Sequence, residues 1–331
     1  MRAKTFSHIG VVGAGAWGVA LAQSAASGGR RVTLWGRDED AMRVWRETRQ
    51  GARLRGVRLH DAITPTHELA DLRDCDAILL VTPAQTTRQV ALALAETLQT
   101  ARPLVNCAKG IEVETDLFLS DVLAEVAPGW PRATLSGPSF AVDVAAGLPT
   151  AVTLAAETED LAVALANALK APNLRLYHST DLRGVELGGA AKNVLAIGCG
   201  VGAGLKLGAS ASAALIARGF AELSRFGQAF GARPATLMGL SGLGDLVLTC
   251  SSEQSRNFSF GLALGRGRSV AEASAGKLAE GATTAKALTD LARRKSVEMP
   301  IAETVQALLD GRIGAREAVG ALLARPQRGE A

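Results

Sequence analysis

His8-Ile9-Gly10-Val11-Val12 runs directly into Gly13-Ala14-Gly15-Ala16-Trp17-Gly18 and then into the alanine-rich stretch Val19 to Ser27. The first five residues read as a buried strand and the last stretch as a helix, with glycines where the turn between them must be tight. Gly13 permits the turn, Gly15 lets the backbone approach a pyrophosphate, and Gly18 allows close helix–sheet packing. The helix start adds partial positive charge. A bare GxGxxG is weak; in strand–turn–helix context it predicts a dinucleotide-binding unit.

Working outward, a second strand, Arg31 to Trp35, ends at Gly36-Arg37-Asp38, about where the adenosine ribose is read. Arg37 suits the 2′-phosphate of NADP and Asp38 the free 2′-hydroxyl of NAD. Arg37 falls first after the strand, so the reading leans to NADP or dual use, against the plainer alternative of a solvated surface pair. Further strands are expected at Ala77 to Val81, Leu104 to Cys107 and Ala133 to Leu135, separated by helices at Gln85 to Leu98 and Thr115 to Val126. Thr150 to Ala155 and Leu174 to Tyr177 flank the helix Glu159 to Leu169 and extend the sheet. This alternation predicts an α/β fold with an N-terminal Rossmann-type doubly wound sheet over residues 1–182. Ligands of such sheets bind beyond the carboxyl ends of the strands, which places Lys109 and the Ser136-Gly137-Pro138-Ser139 turn on the cofactor side.

From about Arg183 the pattern turns helical: Val185 to Leu205, Ser210 to Phe230, Ala282 to Arg294 and Ile301 to Leu309. Residues 183–331 are therefore expected to form an all-helical substrate domain. Its first helix carries Lys192, which with Lys206 is the only charge between Glu186 and Arg218. An ammonium in such an apolar run needs a partner or a lowered proton affinity, so Lys192 is a candidate general acid/base; a paired structural lysine is the plainer alternative. Later, Asp245 lies in a glycine-bracketed turn, and Ser255-Arg256-Asn257 open a short helix. A helix start with an arginine and two polar side chains suits a phosphate, although Ser255 or Asn257 as a simple cap explains the same residues.

Composition narrows the classes. A chain of 331 residues, 48% hydrophobic and 21% charged, is an ordinary soluble globular protein of about two domains. The net charge of +4 comes from scattered basic residues without interleaved aromatics, which argues against nucleic acid. Cys75, Cys107, Cys199 and Cys250 are far apart in apolar runs, predicting reduced thiols in a cytoplasmic protein and no metal site. No secretion signal or membrane span is read. The four histidines lie outside any segment resembling a catalytic loop, and Asp181 stands four residues after Tyr177, the only tyrosine, where a Tyr-Lys site needs lysine. Lys192 is the best remaining proton-transfer group, its proton affinity expected to be lowered by burial beside Lys109 or Arg256.

The blocks GAGAWG, LWGRD, CAKGIE, LSGPSFA, ELGGAAKNVLAIGCGVGAGLKLG and GLGDLVLTCSSEQSRNFSFG, followed by AEGATTAKAL, resemble the bacterial NAD(P)-dependent glycerol-3-phosphate dehydrogenases nearly end to end. The resemblance implies interconversion of sn-glycerol 3-phosphate and dihydroxyacetone phosphate with NADP or NAD, a role in phospholipid synthesis, and a homodimer. It implies Lys192 as proton acceptor and Lys109, Gly137, Ser139, Asp245, Ser255, Arg256 and Asn257 at the substrate. It also implies Trp17, Arg37, Ala141, Leu278 and Glu280 at the cofactor beside the Gly13 to Gly18 turn, with Lys109 and Arg256 touching both. Ala16 departs from the serine common there, and Arg49 to His60 is unusually arginine-rich, which bears on cofactor preference and loop closure rather than on the reaction. Two other readings remain: a reductase of a small keto or hydroxy acid, which has no need of the Ser255-Arg256-Asn257 cradle, and a nonenzymatic NAD(P) sensor, which has no use for Lys192.

Overall fold

The structure, a computed structural model, describes residues 6–51, 54, 56–274 and 279–326. The chain divides into two compact units, one of residues up to Glu112 with Leu117–Glu186, the other of Val113–Asp116 with Leu187 onward. In the first, β1 (His8–Val12), α1 (Ala16–Ser27), β2 (Arg31–Trp35), α2 (Glu39–Thr48), β3 (Ile63–Thr66), β4 (Ala77–Leu80), α3 (Thr87–Leu98) and β5 (Leu104–Asn106) follow one another. Next come α4 (Leu119–Val126), β6 (Arg132–Ser136), α5 (Ala141–Ala145), β7 (Thr150–Ala156), α6 (Glu159–Leu169) and β8 (Leu174–Ser179). The sheet order is β3-β2-β1-β4-β5-β6-β7-β8. Every pair is parallel except β6 with β7. The order reverses between β1 and β4, so the crevice for a dinucleotide lies at the Gly13 turn.

Apolar side chains alternate to two cores, one per face of the sheet. Ile9 and Val11 point to the first, with Val32, Leu34, Ala77, Leu79 and Val105, while Val12, Ile78, Leu80 and Leu104 serve the second. Strand β3 is an addition to the sequence expectation. Its residues Ile63-Thr64-Pro65-Thr66 hold only one large apolar side chain, and Pro65 donates no ladder bond, which an edge strand tolerates.

The second unit is helical; among the described residues no strand follows Ser179. Its helices are α7 (Leu182–Gly204, whose first five residues belong to the first unit), α8 (Ala209–Ala229), α9 (Pro234–Leu237), α10 (Asp245–Cys250), α11 (Arg256–Gly265), α12 (Val270–Ser274), α13 (Glu280–Arg294), α14 (Pro300–Leu309) and α15 (Ala315–Leu323). The glycines of α7 have a packing cause. A Cβ on Gly200 would lie 2.1 Å from the Phe258 carbonyl oxygen, and one on Gly204 2.5 Å from that of Leu262. Reciprocally, Gly261 and Gly265 of α11 leave 2.1 and 2.3 Å to the carbonyls of Ile197 and Val201. Four glycines spaced by four on two helices thus let the backbones touch along one side of α7, most of whose residues are buried. Among the described residues no helix is long and apolar enough to cross a membrane.

Candidate active site

The first unit presents its groups at the carboxyl edge of the sheet. Gly13 has φ +121°, and a Cβ there would meet the Val81 carbonyl oxygen at 2.7 Å; one on Gly18 would lie 1.7 Å from the Gly13 oxygen. Both glycines are demanded by the fold itself. Gly15 is different: a Cβ there meets nothing within 4 Å. It leaves bare backbone at the start of α1, whose first turn has no acidic residue and no side-chain cap. A diphosphate fits that opening, because its charge complements the helix end and no side chain blocks approach. Ala16, Trp17 and Ala141 pack partly buried on the adjacent core.

Asp38 is the N-cap of α2, its carboxylate accepting from Ala41 N at 3.0 Å. Arg37 is exposed and has no hydrogen-bond or ion-pair partner among the described residues. At the ends of β5 and β6, Lys109 Nζ donates to the Gly137 carbonyl at 3.2 Å and Ser139 Oγ to the same oxygen at 3.1 Å. The three residues expected from sequence are therefore together. Asn106, fully buried and missed by the sequence reading, shapes the loop. Its Oδ1 accepts from Ala108 N at 3.1 Å, and its Nδ2 donates to Ala108 O at 3.2 Å, fixing the residue before Lys109. Burial pushes the neighbouring Cys107 thiol well up, with Lys109 partly opposing, so it is no nucleophile.

In the second unit Lys192 is 5% exposed. Its Nζ donates to Asp245 Oδ1 and, at 2.9 Å, to Thr249 Oγ1; the Thr249 hydroxyl in turn donates to Asp245 O at 2.6 Å. The sequence leads one to expect a cation, Lys109 or Arg256, as the neighbour that tunes Lys192; the contact made is to a carboxylate, itself 1% exposed. A buried carboxylate favours the ammonium, where a cation favours the amine. Thr249 was not anticipated, although its spacing of four from Asp245 on one helix is the signal that it shares Asp245's face.

Ser255 caps α11, accepting from Phe258 N at 3.2 Å, and Arg256 opens the helix, exposed and without a partner among the described residues. That first turn contains no acidic residue. Asn257 is not a cap. Its Nδ2 donates to Asn193 Oδ1 and its Oδ1 accepts from Gly281 N, both at 2.9 Å. This carboxamide clamp sets the start of α11 against the residue after Lys192 and against α13, whose first residue is Glu280. Asn193 and Gly281 were also unforeseen. Leu278 lies outside the described residues.

The model for the N-terminus of NAD-dependent glycerol-3-phosphate dehydrogenase matches residues 8–162, and that for the C-terminus residues 181–320. Glycerol-3-phosphate dehydrogenase (NAD(P)+) of Methylobacterium radiotolerans is 59% identical over 332 residues, covering 100% of this chain and 99% of the relative. Its namesake from Azorhizobium caulinodans is 58% identical over 329 residues, covering 99% and 100%. The crystal structure of glycerol-3-phosphate dehydrogenase from Coxiella burnetii aligns with a TM-score of 0.92 at 37% identity, over 97% of this chain and 99% of that one. The chain belongs to the NAD-dependent glycerol-3-phosphate dehydrogenase family.

Proposed function

We propose that this enzyme interconverts sn-glycerol 3-phosphate and dihydroxyacetone phosphate, with Lys192 as the general acid/base. The observation that carries the reading is the buried Lys192–Asp245–Thr249 cluster, joined through Asn193 and Asn257 to a helix start bearing an exposed arginine. When bound, the nicotinamide would supply hydride to the substrate's central carbon as NAD(P)H and take it back as NAD(P)+. As the ketone is reduced, its oxygen gains negative charge; the Lys192 ammonium stabilises that charge and then protonates it. In oxidation the neutral amine takes the hydroxyl proton. Asp245 and Thr249 hold the amine in place in both directions. Ser255, Arg256 and Asn257 at the start of α11, with Lys109, Gly137 and Ser139, bind the phosphorylated substrate, as charge-assisted bonds to a phosphate require.

Residues 1–182 are the cofactor-binding part in this reading and 183–331 the substrate part. The cofactor is held by Gly13, Gly15, Ala16, Trp17, Gly18, Arg37, Ala141, Leu278 and Glu280, with Lys109 and Arg256 shared. NADP is preferred, because Asp38 is engaged as a cap while Arg37 remains open to a 2′-phosphate. A homodimer is supported by the uncharged first half of α8, Ala209 to Ala217, which leaves small and apolar side chains exposed or half-exposed. Four buried free thiols fit the cytoplasm, where the enzyme supplies glycerol phosphate for phospholipid synthesis. The test is steady-state oxidation of NADPH and NADH with dihydroxyacetone phosphate by native protein and Lys192→Ala. Native turnover, and a loss of about 10²- to 10⁴-fold in the variant with cofactor affinity kept, are expected. A variant that turns over at the native rate refutes the role of Lys192.

A further inference from the structure

We infer that Gly188 is a positioning residue for the Lys192–Asp245 pair, its missing side chain setting the spacing at which ammonium and carboxylate meet. The inference rests on the proposed role of that pair. Gly188 precedes Lys192 by four residues on α7, so the two share a face one turn apart. Ser241 precedes Asp245 by four, in a single π-helical turn spanning Leu240–Gly244 that runs straight into α10. Gly188 meets this turn one step before Lys192 meets Asp245.

A Cβ on Gly188 would lie 2.3 Å from Ser241 O, 2.8 Å from Ser241 C and 3.1 Å from Gly242 Cα. All three are backbone atoms, which cannot swing aside. Nor can the turn retreat: a Cβ on Gly242 would lie 1.9 Å from Leu237 O, so α9 backs it closely. A methyl at 188 must therefore separate α7 from the turn by at least about 0.7 Å to bring the first contact to 3.0 Å, the shortest distance real Cβ atoms tolerate. Lys192 and Asp245 sit one helical turn farther along the same two elements and inherit that separation. Backbone conformation does not explain the glycine, since Gly188 is not among the positive-φ residues. An alanine at a helical site of this kind is favoured intrinsically by about 1 kcal/mol, so the contact is the reason for glycine.

The experiment compares Gly188→Ala, Gly198→Ala, Asp245→Glu and the double variant Gly188→Ala/Asp245→Glu in dihydroxyacetone phosphate reduction. Gly198 is the control on the same helix, because a Cβ there meets only the side-chain ends of Ile301 and Val305 at 3.3 Å. Gly188→Ala is expected to lose at least about 100-fold in kcat with the KM for NADPH within about twofold, and Gly198→Ala to stay within about twofold of native. Asp245→Glu lengthens the acid by one C–C bond, about 1.5 Å. It costs at least about tenfold in the native background but raises kcat at least about fivefold in the Gly188→Ala background, a reversal of sign that general destabilisation does not produce. Equal cost of Asp245→Glu in both backgrounds, or Gly188→Ala within about threefold of native, overturns the inference. Should Gly188→Ala not fold, Asp245→Glu alone decides: retention of more than about a third of native kcat means the helices part freely and Gly188 does not hold them. An active Lys192→Ala enzyme defeats the underlying role of the pair instead, whereas an inactive one beside an active Gly188→Ala defeats the positioning alone.

Discussion

Asp245→Asn isolates what the carboxylate does for Lys192. The substitution keeps shape and one acceptor oxygen while removing a charge from a pair whose side chains are 6% and 1% exposed. Leaving one buried charge unpaired costs about 3–5 kcal/mol. Part of that cost is relieved when the unpaired ammonium gives up its proton, because burial disfavours the charged form once the carboxylate is gone. The variant therefore loses its ammonium at lower pH than the native enzyme does. Its rate of ketone reduction should fall relative to the native rate as pH rises from 6 to 9. Any further deficit that is constant with pH reports lost positioning. The assay is kcat for dihydroxyacetone phosphate reduction from pH 6 to 9 for both proteins, with NADPH affinity measured separately. A variant profile parallel to the native one across that range would falsify the reasoning, since the carboxylate would then have no bearing on which form of Lys192 is present.

Two further outcomes test other parts of the molecule. Glu222 on α8 is 2% exposed and accepts from Ile301 N at 2.7 Å and Ala302 N at 3.2 Å at the start of α14; burial raises its carboxyl to about 7 against those bonds. Because the folded value lies above the unfolded one, its stabilising contribution is full below about pH 4.5 and is lost as pH rises through about 7, an effect of about 3 kcal/mol. Glu222→Gln should flatten that dependence, so urea unfolding of both proteins at pH 5 and pH 8 should give stability differences that diverge by most of this amount; identical differences exclude it. Arg37→Ala should raise the KM for NADPH at least about tenfold and leave that for NADH within about twofold, and an equal change in both would remove Arg37 from 2′-phosphate recognition.

Legibility in the sequence followed the range of the interaction. β1, β2, β4 and β5 were plain because each is a short apolar run ending at a turn, a signal held within a few residues. β3 was not, since Pro65 and two threonines dilute the pattern and pairing with β2 supplies what the segment lacks. The helical content of α7 was visible, but the reason for its glycines was not: Gly200 and Gly204 make sense only once Gly261 and Gly265, about sixty residues on, lie against them. The same holds at the site. Lys192 announced itself as a charge in an apolar run, whereas its partner lies fifty-three residues away and was expected to be a cation. Asp38 shows the opposite limit, because ribose recognition and helix capping ask for the same residue in the same place, and the bond to Ala41 N that makes it a cap is visible only in the structure.

Lys192 and the glycines around it answer to one physical requirement. Helices joined by interlocking side chains can repack locally when one residue changes, because side chains hold several rotamers. Helices joined backbone to backbone cannot, and α7 meets the 240–244 turn at Gly188, Gly281 at Asn193, and α11 at Gly200 and Gly204 in that manner. In the proposed role of Lys192, a flexible four-carbon arm is a poor way to aim a proton unless both its origin and its amine are fixed. Here the arm's origin is fixed by glycine contacts along α7 and its amine by Asp245 and Thr249, which follow the 240–244 turn. Glycine costs about 1 kcal/mol per helical site relative to alanine, yet it leaves the cation no slack through which to escape its carboxylate. The glycine-rich run is thus less a place where a lysine is out of keeping than the feature that holds this lysine against its carboxylate.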